Sequence, residues 1–509
     1  MNYLSKENVH DIFELSLVQK AILENEIVTQ VSYEIQMDVE FNQLKSYWEE
    51  TVRAHDSLRS VYRKLNNRTV QVVLKERPIP IEWVDLHAME DEKKEVKLQS
   101  IAKSHFEEIK IDIGPLIRLS VCRYDEVRTI IIWTQHSLCM DDNSRDRIFN
   151  EWMDRAQKIF PTNIQYKSFK EYIDWEASQD GIPAKKYWKE HLRDYKPSPM
   201  PLYGGNQNKS NSNKLCTSTS LTNDLSRRLE KIAEKHNVSI EAVALSTWLL
   251  LLQVYTGEES VSCGETVSSS ANWKGEIVGP FAHVLPIKAT LTANQKVDEV
   301  LRYIHNQRES IQKNSHVPSQ VIRSYTNIAK EVTLFNSIVT VRNSADNKYS
   351  IPQLLYIEGR NEIEIIVTVG PNWSIEIFHP NANSLDSLKS LLKFYVTLLE
   401  NLSKQSNVEL YNLNLLSNEE KKLQFEDFNK TNLAIPSLNR LAHQVVEDQA
   451  RKRPDAIAVV CGMESITYRE LNEQANRLAH WLRSQGFGRE DLAAILAERG
   501  IEMVIGILA

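Results

Sequence analysis

Thr129–Trp133 (TIIIW) runs directly into Thr134–Asp146 (TQHSLCMDDNSRD). The first five residues are β-branched or aromatic and have the length of a buried strand. The residues that follow set His136, Ser137, Cys139, Asp141 and Asp142 on the segment leaving that strand. Outward from this point, strand and helix patterns alternate. Leu116–Cys122 (LIRLSVC), Ile363–Val369 (IEIIVTV) and Trp373–Phe378 read as strands. Leu15–Glu24, Asn42–Ala54, Leu225–His236, Ile240–Tyr255 and Val297–Gln312 have apolar positions at three-to-four spacing and read as helices. The fold class is α/β, in two halves.

Several function classes are disfavoured by composition. The chain has 509 residues, 42% hydrophobic and 25% charged, which suits roughly three domain-sized units with sizeable cores. A net charge of −7 gives no reason to expect nucleic acid or an anionic membrane as a partner. The longest apolar run, Ala242–Tyr255, is shorter than the roughly 20 residues of a membrane span, so it reads as a buried core helix. The first residues, MNYLSKENVHDIF, have no basic segment leading into an apolar one, and no signal peptide is expected. The five cysteines (Cys122, Cys139, Cys216, Cys263, Cys461) are scattered and never form a CxxC pair. That argues against a disulfide framework or a structural zinc and for a cytoplasmic location. No HExxH or paired histidine spacing suggests a metal site.

A polar stretch, Gly204–Lys214 (GGNQNKSNSNK), has linker composition. A second change falls near residue 440. Gly370–Asn439 contains six Lys and no Arg, whereas Arg440–Ala509 contains one Lys, eight Arg and ten Ala. A new domain is therefore expected after Phe428–Pro436.

Taken in order, the motifs resemble those of the condensation domains of nonribosomal peptide synthetases. Leu15–Leu23 (LSLVQKAIL) is similar to the family's opening Ser-x-x-Gln helix. Ala54–Tyr62 (AHDSLRSVY) resembles R-H-E-x-L-R-T-x-F, with Ala54 in place of the first Arg. Gly114–Arg118 (GPLIR), Tyr172–Trp175 (YIDW) and Tyr187–Leu192 (YWKEHL) resemble later family segments. Val278–Pro286 (VGPFAHVLP) is similar to V-G-x-F-x-N-T-L-P. From Leu441 the chain resembles the start of an adenylation domain, in Leu441–Val460 and Ile466–Leu471 (ITYREL). No Gly-rich phosphate loop or carrier serine motif follows, so this part is expected not to activate an amino acid. The resemblance implies two chloramphenicol-acetyltransferase-like halves in a V with a central tunnel, at residues 1–180 and 181–430. A linker at 431–440 and an adenylation fragment at 441–509 would follow.

Family members carry H-H-x-x-x-D-G, whose second His is usually assigned to deprotonate or position the attacking amine. Imidazole suits that task because its pKa lies near neutrality. In this chain two registers compete. If His136 is the second His, Met140 replaces the Asp and Asp141 the Gly. If His136 is the first, Ser137 replaces the second, Asp141 is retained and Asp142 replaces the Gly. Ser144 and Glu151 match the family flanks in the second register, which reads H-S-x-x-x-D-D and lacks the usual base. A serine hydroxyl cannot take that role alone, and Asp142 is expected to crowd or charge the tunnel mouth. Cys139 reads as a buried filler. His283 stands where the family usually has Asn. It is a candidate to supply the missing imidazole from the opposite wall, against the blander reading of a buried core histidine. Arg59 is the candidate to pair with Asp141 and shape the loop.

Two functions follow from the resemblance. One is an enzyme joining a carrier-bound acyl or peptidyl thioester to a carrier-bound amino acid. The other is an inactive platform that binds carrier domains or recruits a tailoring enzyme, as H-R-x-x-x-D-D domains do. Heterocyclisation (D-x-x-x-x-D) and epimerisation fit the motif less well. No cofactor is expected on the chain itself, because substrates would arrive on phosphopantetheine arms of donor and acceptor carrier domains. With Met1 as the start, the donor would come from another synthetase or polyketide synthase in trans.

Overall fold

The computed structural model describes residues 5–23, 27–36, 40–66, 68–111, 114–159, 166–200, 215–273, 277–326, 328–329, 332–358, 362–379, 385–413, 416–431 and 440–509. The polar stretch 204–214 and nearly all of the expected 431–440 linker lie outside these residues. The chain divides into two compact units, Met1–Ser417 and Asn418–Ala509, so the division falls before the composition shift near residue 440.

In the first unit the strand beginning at Thr129 is the centre of a five-stranded sheet. Its order is Gln353–Glu358, Val28–Gln36, Arg128–His136, Ile117–Arg123, Ile81–Asp85. Neighbours are antiparallel except the last pair. Residues 131–136 of the central strand are all buried. This explains the continuous apolar run at its start, since a strand covered on both faces shows no alternation. Trp48 and Trp152, from helices Phe41–Ala54 and Asp142–Ala156, pack with Trp133 in the core beneath it. The edge strand Gln353–Glu358 arrives from far down the chain. Leu354, Ile357, Ile366 and Phe378 likewise join the core of the first half. The two halves are therefore interleaved, which local periodicity could not reveal.

The second half is built on a six-stranded sheet ordered Ala282–Thr290, Ser260–Ser268, Ser337–Asn343, Ile363–Val369, Ser374–His379, Leu215–Ser220. Helix Ile240–Thr256 lies in its core. Ser239 caps the start by accepting the Ala242 N–H, and Gly257 ends it at φ +70°, where the absence of a Cβ removes the steric cost. The helix is apolar nearly all round, as a fully buried helix must be. No single helix among the described residues is long and apolar enough to cross a membrane. Strand alternation divides the sheet's residues. Ile365, Val367 and Val339 belong to the helix-packed core, while Thr340, Arg342, Glu364 and Ile366 occupy the alternate positions, with Ile366 in the core of the first half.

The second unit has a hairpin, Ile457–Cys461 with Glu464–Thr467, and helices Ala442–Lys452, Tyr468–Ser484 and Ile501–Leu508. Thr467 and Glu470 form a reciprocal capping box at the start of the middle helix. Leu471, Ala475, Ile501 and Ile505 form its buried core.

Candidate active site

The motif strand ends at His136, and a helix begins at Asp142. Asp141 is the helix N-cap. Its Oδ1 accepts the Ser144 N–H at 2.8 Å, and its Oδ2 accepts the N–H groups of Phe281 and Ala282 at 3.1 and 2.9 Å. Ser144 adds a reciprocal pair with Gly279. Its hydroxyl donates to the Gly279 carbonyl at 2.8 Å and accepts the Gly279 N–H at 3.2 Å, while the Asp141 N–H donates to the same carbonyl at 3.2 Å. One aspartate and one serine thus fasten the motif helix of the first half to residues 279–282 of the second. Burial raises the Asp141 pKa, and the amide donors offset this only in part. Gly279 has a specific reason to be glycine, because a Cβ there would sit 2.4 Å from Phe169 Cε2.

The expected Arg59–Asp141 pair is corrected by this geometry. Arg59 donates to Asp56 Oδ1 at 2.9 Å and to the carbonyls of Leu74 and Lys75. Backbone amides satisfy Asp141 instead, and sequence motifs do not record backbone donors.

Asp142 is not a bare charge at the mouth. It accepts Arg145 Nη1 at 2.6 Å and also pairs with Arg342 Nη2 from strand Ser337–Asn343. Arg145 is fully buried and continues the network to Asp146 at 2.7 Å. The Tyr33 hydroxyl donates to Asp146 at 2.5 Å and accepts from Arg145 Nε at 2.9 Å. Burial alone would depress the Arg342 pKa, but Asp142, with Asp146 and Glu376 adding to it, more than offsets it and holds the guanidinium above its ordinary value.

Between the halves lies a cavity of about 100 Å³. Ser137, Met140, Asp141 and Asp142 line it from the first half; Thr266, Ala282, Thr340, Arg342 and Glu364 line it from the second. Thr340 donates to Glu364 at 3.3 Å and shares a 2.7 Å hydrogen bond with Thr266. Among the described residues, neither His136 nor His283 lines the cavity. His136 Nδ1 accepts the Leu138 N–H at 3.1 Å, so a neutral ring carries its proton on Nε2. Burial pushes its pKa down to about 4. His283 follows the cavity-lining Ala282 along their strand and pairs with Val267 of the next strand, a core residue that also borders the cavity. Its ring is buried beside Ser315 and His316, and burial again lowers its pKa to about 4. Of the two readings of His283, its burial and its absence from the cavity wall fit the core histidine rather than an imidazole supplied to Ser137.

The loop itself is clamped from behind. The Leu138 carbonyl accepts the Tyr62 hydroxyl at 2.6 Å and Gln19 Nε2 at 3.2 Å. Both donors lie in the segments that resembled the opening helix and the second motif. Cys139 is buried, its pKa pushed up to about 12 by burial, and its Sγ–H donates to the His136 carbonyl at 3.0 Å. Glu151 accepts from His55 at 2.8 Å and from Tyr166 at 2.6 Å. Thr266, Thr340, Arg342 and Glu364 were not anticipated. Their only sequence signal was a polar or charged residue inside otherwise apolar strands, such as the Glu of IEIIVTV.

Comparison with known proteins gives this geometry its relatives. The family model described as "Condensation domain" matches residues 19–424, and "AMP-binding enzyme" matches residues 446–509. Gramicidin S synthase 2 of Aneurinibacillus migulanus is 25% identical over 100% of this chain and 12% of its own length. Bacitracin synthase 3 of Bacillus licheniformis is 24% identical over 99% of this chain, which covers 8% of that protein. The chain thus spans about a tenth of the length of these curated relatives. Among solved structures, the nonribosomal peptide synthetase FmoA3 superposes with a TM-score of 0.76 at 16% identity, covering 99% of this chain and 54% of that one. The first condensation domain of the calcium-dependent antibiotic synthetase gives 0.68 at 16% identity, covering 80% and 100%.

Proposed function

This chain belongs to the condensation-domain family, and from that premise we propose that its first unit joins a carrier-tethered acyl or peptidyl thioester to a carrier-tethered amino acid. The amine nitrogen attacks the thioester carbon, a C–N bond forms, the C–S bond breaks, and the amine's proton leaves to the thiolate. The observation that carries this reading is the cavity between the halves. It is lined by Ser137 and closed by the Asp141 and Ser144 hydrogen bonds to residues 279–282. The arrangement favours the register in which Asp141 is the retained carboxylate and Ser137 and Asp142 are the departures from the family motif.

With no imidazole among the described residues of the cavity wall, the acceleration would come mainly from holding the two reacting groups together. Proximity supplies up to about 7–11 kcal/mol when the geometry is near-attack. An α-amino group with a pKa of about 7.7–8.0 is already partly neutral at working pH. Amide formation from a thioester is therefore chemistry that tolerates a missing base. The same absence of imidazole favours a second reading, an inactive platform that binds carriers. Residues 446–509 contain no glycine-rich phosphate loop.

The deciding experiment loads both partner carriers, adds the 509-residue protein and follows the products by intact-protein mass spectrometry. Amide product that depends on the protein supports the enzyme. Carrier binding with no product above the protein-free control supports the platform.

A further inference from the structure

Glu364 is a charge set inside an otherwise apolar strand, Ile363–Val369 (IEIIVTV). Its neighbours Ile363 and Ile365 belong to the core around helix Ile240–Thr256, whereas Ile366 joins the core of the first half. Alternation along the strand therefore turns Glu364 towards the first half. There it is 5% exposed and lines the cavity beside Ser137.

Two hydroxyls aim it. Thr340 donates to Glu364 Oε1 at 3.3 Å. A threonine has a single hydroxyl proton, so the 2.7 Å bond between Thr266 and Thr340 runs from Thr266 to Thr340. All three residues line the cavity, and the chain of hydroxyls ends on the carboxylate. An ionised carboxylate has about four lone-pair sites, so it can accept a substrate N–H alongside the hydroxyl of Thr340.

Charge identifies the group it suits. Among the described residues the cavity wall carries three carboxyls, Asp141, Asp142 and Glu364, and one cation, Arg342. Asp141 is engaged by three backbone N–H groups. Asp142 is engaged by the guanidinium groups of Arg145 and Arg342. This balance disfavours an anionic group in the cavity and favours one that is positive or donates N–H.

We propose that Glu364 is a catalytic residue that accepts an N–H of the attacking amine and faces the positive charge that grows on its nitrogen. The assignment rests on the condensation reading of the cavity and adds to it a residue and the substrate group that residue holds. Once the C–N bond has formed, the nitrogen stays positive until its proton leaves to the thiolate as the C–S bond breaks. A carboxylate fixed beside it lowers the energy of that state. Glu364 ends the step with the protons it began with, so its role differs from that of a general base.

Two stable thioethers isolate the contact: S-(2-aminoethyl)-pantetheine and S-propyl-pantetheine, in which a methyl group replaces the ammonium. Their Kd values for the full chain are measured by ligand-observed NMR titration at neutral pH, with Tm recorded for each variant. The wild-type protein is expected to bind the amine probe about tenfold tighter than the propyl probe, as a charge-assisted hydrogen bond would give. E364Q keeps the shape and removes the charge, so it should weaken the amine probe alone and bring the ratio close to one. E364D, which keeps the charge one methylene further back, should retain part of the preference. A preference that survives in E364Q, or equal weakening of both probes there, overturns the role of Glu364 while leaving the cavity a pantetheine site. Equal binding of both probes to the wild-type protein does the same without any variant. No binding of either probe to the wild-type protein overturns both readings.

Discussion

Asp141 Oδ2 accepts the backbone N–H of Ala282 at 2.9 Å, across 141 residues of sequence. The same carboxylate caps the motif helix through Ser144. One buried side chain therefore sets both where the helix starts and where the second half meets the loop that carries Ser137.

Replacing Asp141 with Ala removes a helix cap, worth about 0.5–2 kcal/mol, and leaves the amides of Phe281 and Ala282 without an acceptor, at about 1–3 kcal/mol each. The expected loss of stability is on the order of 3 kcal/mol, read as a lower urea midpoint. D141N keeps one acceptor oxygen and should lose about half as much. Equal midpoints for wild type and D141A would show that the hydrogen bonds across the interface contribute nothing net.

Ser137 lines the cavity, and no imidazole among the described residues lines it with it. S137A is therefore expected to keep condensation within about threefold of wild type, since a lone hydroxyl supplies neither base nor activated nucleophile. S137H restores an imidazole at the cavity wall and should raise the rate by about 100-fold, within the usual span for general base catalysis. Single-turnover assays with loaded carriers measure both. A large loss in S137A would assign the hydroxyl a direct role.

Gly279 faces Phe169 so closely that a methyl group cannot fit. G279A should destabilise the first unit by about 1–3 kcal/mol through overpacking. The double variant G279A/F169L should recover part of that loss. Denaturant titration of G279A, F169L and the double variant tests the pair, and a strictly additive result would place the strain elsewhere.

Glu176 is buried, accepts the Leu17 N–H at 2.7 Å, and has its pKa raised to about 7, chiefly by burial. A carboxyl whose folded pKa lies above its unfolded value of 4.5 binds its proton more tightly in the fold. Its stabilising contribution is complete below about pH 4.5 and is lost as pH rises through 7. A shift of this size corresponds to about 3 kcal/mol. E176Q should therefore gain Tm relative to wild type at pH 8, and the gap should narrow towards pH 5. A gap independent of pH would remove Glu176 as its source.

The residues by themselves determined the elements and the family. TIIIW could only be a covered strand, IEIIVTV matches its strand end to end, and the helix at 240–256 was legible because apolar spacing and caps are local properties of the chain. The order of the motifs likewise needed no coordinates. Four features required the tertiary structure. Arg59 turned to Asp56 because backbone amides, invisible in a motif, had already satisfied Asp141. His283 is buried and off the cavity wall, and which residues line a cavity between two halves has no meaning until the halves meet. The strand at 353–358 joined the sheet of the other half because long-range pairing leaves no periodic trace. Asp142 found Arg342 200 residues away, and only that distant cation turns a charge where the family has glycine into one half of an ion pair.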